Sequence, residues 1–329
     1  MDKKATIYDV ALKANVSLAT VSRVINNSNK VSDDTKERVL NAIAQLNYKP
    51  NSIAIELASK RNTNVAIIVP ELKYTYIAHV VAGLMDKAKE LGYDCLIYTT
   101  KESKKDMSGV IAKVLSYRPN GIIIFNDTLL EEDFGDLLSF DIPLVTLGED
   151  LKTISSVSWH YQAQIVELVK DAMKREKEIY FIKVKGSGNL EERVLRGIKQ
   201  AFIQNGKEFT DDKLINVNDS YEDTYNHMKK MIPSLGKAFI LSTRDSIALA
   251  ALNAALDSNK KVPEDLEFLA VLGTKYSELS RPKLSSFSID MRGLGKTGME
   301  VLAELINSNR KELITRKLSF EFVKRGSTL

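Results

Sequence analysis

Apolar residues recur along this chain at two different spacings, and the change from one to the other divides it. In roughly the first sixty residues the spacing is helical throughout. Ile7, Val10, Ala11 and Ala14 form one stripe, Val21, Val24 and Ile25 a second, and Val39, Leu40, Ile43 and Leu46 a third. The polar residues between them supply the punctuation. Thr6 and Asp9 have the spacing of a capping box, and Asn15-Val16 reads as a turn because asparagine enters the left-handed region cheaply. Ser17 is placed to cap the second helix. The third begins at Ser32, with Asp33 and Asp34 in the first turn, where the positive helix end favours them.

From residue 62 the pattern becomes short apolar runs alternating with helical stretches. Strands are predicted at 65–70, 95–100, 121–125, 144–147 and 157–159, with helices at 77–91 and 104–117 between the first of them. The alternation restarts with a helix at 162–174. It then runs through strand 179–184, helix 192–204, a helix around Tyr225, strand 238–242, helix 246–256 and strand 266–272. Repeated βα units imply parallel sheets covered by helices. Two series make two subdomains, with a cleft at the carboxyl ends of the strands.

Composition narrows the class. The chain has 329 residues, 44% hydrophobic and 27% charged, which suits a soluble protein with a core. It contains no apolar run long enough to span a bilayer, and its first residues lack the apolar stretch of a secretory signal. A cytoplasmic location without membrane attachment is therefore expected. The single cysteine, Cys95, excludes an internal disulfide framework and reads as a small buried hydrophobe. The net charge of +4 is localised: ten Lys/Arg and six Asp/Glu fall in residues 1–61, and the remaining 37 of each sign cancel. A basic head on a neutral body fits a polyanion-binding module joined to a body with another task.

In that head the second helix carries the candidate chemistry. With Val21, Val24 and Ile25 inward, Leu18, Ala19, Ser22, Arg23 and Asn26 project outward. Small residues allow close approach to a major groove, Leu18 and Ala19 suit thymine methyls, and Arg23 reaches the O6/N7 edge of guanine. On spacing alone, a generic three-helix bundle with a polar face remains open. The residues themselves decide further. Thr6-Ile7-Tyr8-Asp9-Val10-Ala11, Ala14-Asn15-Val16-Ser17 and Thr20-Val21-Ser22-Arg23-Val24-Ile25-Asn26, then Leu46-Asn47-Tyr48-Lys49-Pro50-Asn51, closely resemble the headpiece of the LacI/GalR family of transcription regulators.

This resemblance implies a role for each matching position. Tyr8, Ser17, Ser22, Asn26, Ser32, Tyr48 and Asn51 match phosphate and groove contacts, with Thr6, Thr20 and Ala54 in the same DNA-facing set. Leu18, Ala19 and Arg23 match the base-reading positions. The segment from Asn51 to Ala58 resembles a hinge helix, with Leu57 at the leucine wedged into the central minor-groove step. Many relatives carry an arginine two residues before that leucine, where this chain has Ile55. The implied partner is a double-stranded, palindromic DNA operator, bound by a homodimer because one headpiece buries too little surface to be selective. The chain stops at Leu329 without the extra heptad helix of the family's tetramers, so a dimer is preferred. Repression is the family default, although catabolite control relatives also activate, and carbohydrate or catabolite genes are the targets the resemblance implies.

The expected fold is therefore α/β: a small all-α helix-turn-helix headpiece on a periplasmic-binding-protein-like core of two parallel-sheet subdomains. We place the headpiece at 1–50, the hinge helix and linker at 51–61 and the sensor core at 62–329. The N-subdomain is expected at about 62–159 and 290–320, and the C-subdomain at about 160–289 and 321–329. The resemblance continues at Val69-Pro70-Glu71, 261–266 and 280–284 but fails at the pocket. Val194 stands where sugar- and purine-responsive relatives place an arginine, Gly273-Thr274 where they often have an aspartate, and Arg244 where an asparagine or serine precedes the equivalent of Asp245. A sugar pocket needs planar forks and carboxylates, so these departures argue against an ordinary sugar effector. Three readings stay open. The cleft binds another small molecule, such as an anionic metabolite held by Arg193 or Arg244, with Glu71, Trp159 and Asp245 as further candidates. Alternatively, a serine-phosphorylated phosphocarrier protein is the co-regulator, as in the catabolite control protein branch, which Leu57-Ala58-Ser59-Lys60 also resembles. The third reading has no effector.

No cofactor or metal site is expected. His79, His160 and His227 are scattered and lack metal-ligand spacing. Lys185-Gly186-Ser187-Gly188 lacks the frame of a phosphate-binding loop. Gly293, Gly295 and Gly298 have no βαβ unit around them and are expected to permit close helix packing. With no nucleophile–base pair to nominate, the chain reads as a non-enzyme. Its weak net charge argues against a nucleoid-type architectural protein.

Overall fold

The computed structural model describes residues 5–25, 30–49, 63–100, 104–125, 135–148, 150–185, 189–308 and 312–329. Asn26, Asn51, Ala54 and Leu57, and the loop Gly186-Ser187-Gly188, lie outside them. The chain divides into two compact units at Thr63.

Among its described residues the first unit holds three helices: α1 (Ile7–Ala14), α2 (Leu18–Ile25) and α3 (Asp33–Gln45). The capping box forms as the spacing predicts. Thr6 Oγ1 accepts from the Asp9 amide at 3.4 Å, and the Asp9 carboxylate accepts from the Thr6 amide at 2.7 Å. Two orphan amides are thereby satisfied, a device worth about 1 kcal/mol. Asn15 ends α1 in the left-handed conformation at φ 52°, and Ser17 Oγ accepts from the Thr20 amide at 3.2 Å to start α2. Val10, Ala11, Ala14, Val21, Val24, Val39 and Ala42 form the core. One position departs from the predicted stripe. Leu40 is 48% exposed, and Ala42 is buried in its stead.

The second unit carries two six-stranded sheets. The first series is β1 (Asn64–Val69), α4 (Thr75–Leu91), β2 (Asp94–Thr99), α5 (Lys104–Ser116), β3 (Gly121–Ile124), α6 (Gly135–Leu138), β4 (Leu144–Leu147) and β5 (Ser155–Ser158). The second is α7 (Gln162–Lys174), β6 (Glu178–Val184), α8 (Asn189–Gln204), β7 (Leu214–Val217), α9 (Tyr221–Met231), β8 (Ala238–Ser242), α10 (Asp245–Leu256), β9 (Leu266–Ala270), α11 (Lys275–Leu279) and β10 (Ser285–Ser288). The chain then returns through α12 (Met291–Asn307) to β11 (Thr315–Lys317), and crosses again to β12 (Glu321–Val323). Strand order is β11-β5-β4-β3-β1-β2, all parallel, and β12-β10-β9-β8-β6-β7, parallel except for the antiparallel β10–β12 pair.

Strands covered on both faces read as continuous apolar runs, and β3, β4, β8 and β9 are buried along their whole length. The strand β10 was not legible as such, because Ser285 and Ser286 break the apolar signal. Their polar groups are met by the C-terminal segment: Ser285 Oγ accepts from the Arg325 amide at 2.8 Å, and Arg325 donates to Ser286 Oγ at 2.7 Å. The predicted role of the glycines holds where α12 crosses α4. A Cβ on Gly295 would stand 2.1 Å from the Val80 carbonyl oxygen and one on Gly83 2.0 Å from the Arg292 carbonyl oxygen, whereas Gly298 packs against Leu147 of β4. Gly293 instead faces its own cap, Asp290. No helix among the described residues is long and apolar enough to cross a membrane.

Candidate nucleic-acid interface and sensor cleft

In the first unit the two faces of α2 are sharply different. Val21 and Val24 are buried, while Leu18, Ala19 and Arg23 are exposed and Ser22 is half-buried. Ser17 sits exposed at the start of α2, its hydroxyl 2.9 Å from that of the half-buried Thr20. Small exposed side chains at the amino end and one guanidinium a turn later form a surface that enters a groove without collision and ends in a forked donor. Around it, Tyr8 is 69% exposed, Thr6 and Ser32 are exposed, and Tyr48 is half-buried with its ring against the helical core. The Ser32 hydroxyl donates to Thr35 Oγ1 at 3.0 Å, so it makes no capping bond to a backbone amide.

In the second unit the carboxyl ends of the parallel strands of both sheets bring together residues that sequence spacing did not connect. Tyr74 follows β1 and caps α4, Asp219 follows β7, and Arg244 follows β8 at the start of α10. The Tyr74 hydroxyl donates to Asp219 Oδ2 at 2.6 Å, Arg244 forms an ion pair with the same oxygen, and its guanidinium also donates to the Tyr74 oxygen at 3.3 Å. The guanidinium lies 4.7 Å from the Tyr74 ring centroid. Burial penalises the Asp219 charge more than any other single influence. Even so, the hydrogen bonds and charge of Arg244, with Tyr74, hold the carboxyl below its ordinary range. Burial likewise opposes the charge on Arg244, and Asp219 outweighs it, so the guanidinium is held more firmly protonated than usual. For Tyr74, burial and then the Asp219 bond both raise the phenol.

Each sequence-predicted effector residue has a definite place. Arg193 in α8 donates to the Gly148 carbonyl after β4 at 2.7 Å and faces the Tyr161 ring at 5.6 Å. Glu71 is exposed and pairs with Lys73 at 2.7 Å. Asp245 is buried, accepts from the Ser277 hydroxyl, and is pushed up by burial. Trp159 is 2% exposed and packs in the core. Val194 is fully buried in the same core. Gly273 has φ +63° and packs so tightly on Phe287 that a Cβ would stand 1.7 Å from its carbonyl oxygen. A side chain at this position would need both a Cβ in that space and an unfavourable φ.

Sequence reasoning missed Tyr74, Asp219 and Gly148. Tyr74 and Asp219 are 145 residues apart, and nothing in local spacing could pair them.

Comparison with known proteins agrees with both units. Residues 6–51 match the family model for bacterial regulatory proteins of the lacI family, and residues 174–328 match a periplasmic binding protein-like domain. Catabolite control protein A of Staphylococcus xylosus is 32% identical over 305 residues, covering 92% of both chains. An HTH-type transcriptional regulator, pepR1, of Lactobacillus delbrueckii subsp. lactis is 32% identical over 333 residues, covering 98% of both. Among solved structures, the lac repressor dimer bound to operator and the anti-inducer ONPF superposes with a TM-score of 0.88 at 25% identity, covering 99% of this chain and 100% of that one.

Proposed function

The chain belongs to the lacI family of bacterial regulatory proteins, which are DNA-binding transcription regulators, and from that premise we propose that two copies bind a palindromic operator and repress carbohydrate or catabolite genes from the cytoplasm. The observation that carries this reading is the exposed face of α2, with Leu18 and Ala19 at its amino end and Arg23 one turn on. Seated in the major groove, that face places two apolar contacts and one bidentate donor over adjacent base edges. A single module of this size buries too little DNA for selectivity, so a second copy supplies the other half-site. The solved lac repressor complex, a dimer on its operator, supports the same arrangement.

Genomic footprinting of the full chain names the operator. Fluorescence anisotropy on that DNA then tests the roles. Arg23→Ala is expected to weaken the cognate site about 10- to 100-fold and to relax selection at one base pair per half-site. Equal loss on every sequence would show Arg23 to be a phosphate contact and would sink its assignment as a base reader.

For the effector, the similarity to catabolite control proteins and the state of the cleft favour a protein co-regulator over a sugar. Val194 is sealed in the core, Gly273 leaves no room for a side chain, and both arginines are engaged across the cleft, Arg193 with the Gly148 carbonyl and Arg244 with Tyr74. Operator binding strengthened by a serine-phosphorylated phosphocarrier protein, and unmoved by sugars, would support this reading; the reverse would overturn it.

An enzymatic reading gains nothing from the one Ser–His–Asp cluster found among the described residues. Asp150 accepts from Ser158 at 2.5 Å and lies 2.8 Å from His160 Nε2, while Ser158 is 3.5 Å from that same nitrogen. A nucleophilic relay needs the two imidazole nitrogens on different partners, and here one nitrogen faces both.

A further inference from the structure

We propose that Asp219 is an internal substitute for an effector: its carboxylate, bound by Tyr74 and Arg244, latches the two subdomains closed with no small molecule in the cleft. The inference rests on the reading of the core as the sensing body, and it concerns how that body is regulated.

The geometry has the parts of a ligand-bound cleft, all supplied by the chain. Tyr74 stands at the carboxyl end of a strand in the first sheet, and Asp219 and Arg244 stand at the carboxyl ends of two strands in the second. In open α/β sheets this is where ligands are gripped. Ligand closure works only through contacts made better in the closed state than in the open one. Here the contacts that cross are the 2.6 Å hydrogen bond from Tyr74 to Asp219, the 3.3 Å bond from Arg244 to the Tyr74 oxygen and the Tyr74 ring against the guanidinium. The Asp219–Arg244 ion pair lies within the second subdomain and holds both groups ready for Tyr74. Because the carboxylate is tethered, no translational freedom is lost on closure, and the contact forms at high effective concentration.

A second tie lies beside the first. Arg193 of the second subdomain donates to the Gly148 carbonyl of the first. The two ties share a wall: Tyr74 stacks on Tyr76 at 5.7 Å, Tyr76 meets Phe125 edge-on at 6.2 Å, and a Cβ on Gly148 would touch Phe125 at 3.1 Å. The crossovers are packed by Tyr161, Phe287 and Phe320, with ring centroids 5.4 to 6.4 Å apart, and Arg193 lies 5.6 Å from the Tyr161 ring. A core built this way rests closed, and it is regulated by what opens the latch or docks on the closed form.

Amide hydrogen exchange on the full chain without DNA tests the latch directly, whatever the operator or effector. In Asp219→Asn, peptides containing residues 71–76, 146–148, 218–221 and 243–245 are expected to exchange about tenfold faster than in the wild type, with strands β1 and β8 unchanged. Tyr74→Phe, which deletes one hydroxyl, is expected to raise exchange at the same peptides by a smaller factor. Should Asp219→Asn unfold, Tyr74→Phe decides alone: faster exchange confined to these loops supports the latch. Exchange within twofold of wild type in the folded variants would overturn it. Loss of operator response with exchange unchanged would count against the latch and leave the regulator reading intact.

Discussion

Gly295 lies so close to Val80 that a Cβ built on it would stand 2.1 Å from the Val80 carbonyl oxygen. The reciprocal contact of Gly83 with Arg292 makes the crossing of α12 over α4 a backbone-to-backbone approach. Gly295→Ala must therefore push two helices apart. We expect a loss of about 1–3 kcal/mol or more of core stability in urea unfolding. Gly109→Ala, in α5 with open space around it, is the control, expected to gain about 0.5–1 kcal/mol.

An aspartate placed at position 273 is not expected to create a sugar site. Gly273→Asp would need a left-handed backbone and a Cβ at 1.7 Å from the Phe287 oxygen. A loss of at least about 2 kcal/mol is the expected result, with no ligand-induced rise in Tm across a sugar panel. A stable variant that binds a sugar would show that this turn can refold around the new side chain.

The latch carboxylate has a predictable pH signature. Burial raises the Asp219 pKa, but Arg244 and Tyr74 more than offset it, leaving it below the ordinary value of 3.8. A carboxyl depressed in the folded state contributes stability that is present above the unfolded pKa and is lost as pH falls through the folded one. The gap in unfolding free energy between wild type and Asp219→Asn is thus expected to stay constant from pH 7 to about 5. It should then shrink below about pH 4, as read from urea curves at each pH. A gap that widens on acidification would contradict the sign.

Cys95 is half-buried in β2, and burial, assisted by the Asp94 charge, pushes its thiol up to about 11. The thiolate is the reactive form, so the native protein at pH 8 should react with a disulfide reagent at least about tenfold more slowly than the urea-unfolded chain. Native-like rates in both states would show that the β2 edge opens on the labelling timescale.

Most strands and helices were legible from local pattern, but β7, β10, β11, β12, α6, α11 and α12 were not. The stripe Val10, Ala11, Ala14 and the pair Val21, Val24 fall inward as their spacing requires. Leu40 does not, because an apolar residue at the edge of a stripe is turned in or out by the helix it meets. The serines of β10 masked a strand whose polar groups are satisfied only by the distant segment around Arg325 and Ser327.

By itself the sequence determined the outward face of α2, the capped three-helix head and the alternation of strand and helix behind it. Periodicity decides which side of an element meets a core, and capping residues decide where it ends. Only the tertiary structure decided that Asp219 meets Tyr74 and Arg244, that Arg193 reaches Gly148, and that Trp159 and Val194 are sealed inside. Those pairings depend on strand order, which brings the ends of β1, β7 and β8 to one cleft across long stretches of chain. Strand order is fixed by the packing of whole sheets and helices, and no local run of residues encodes it.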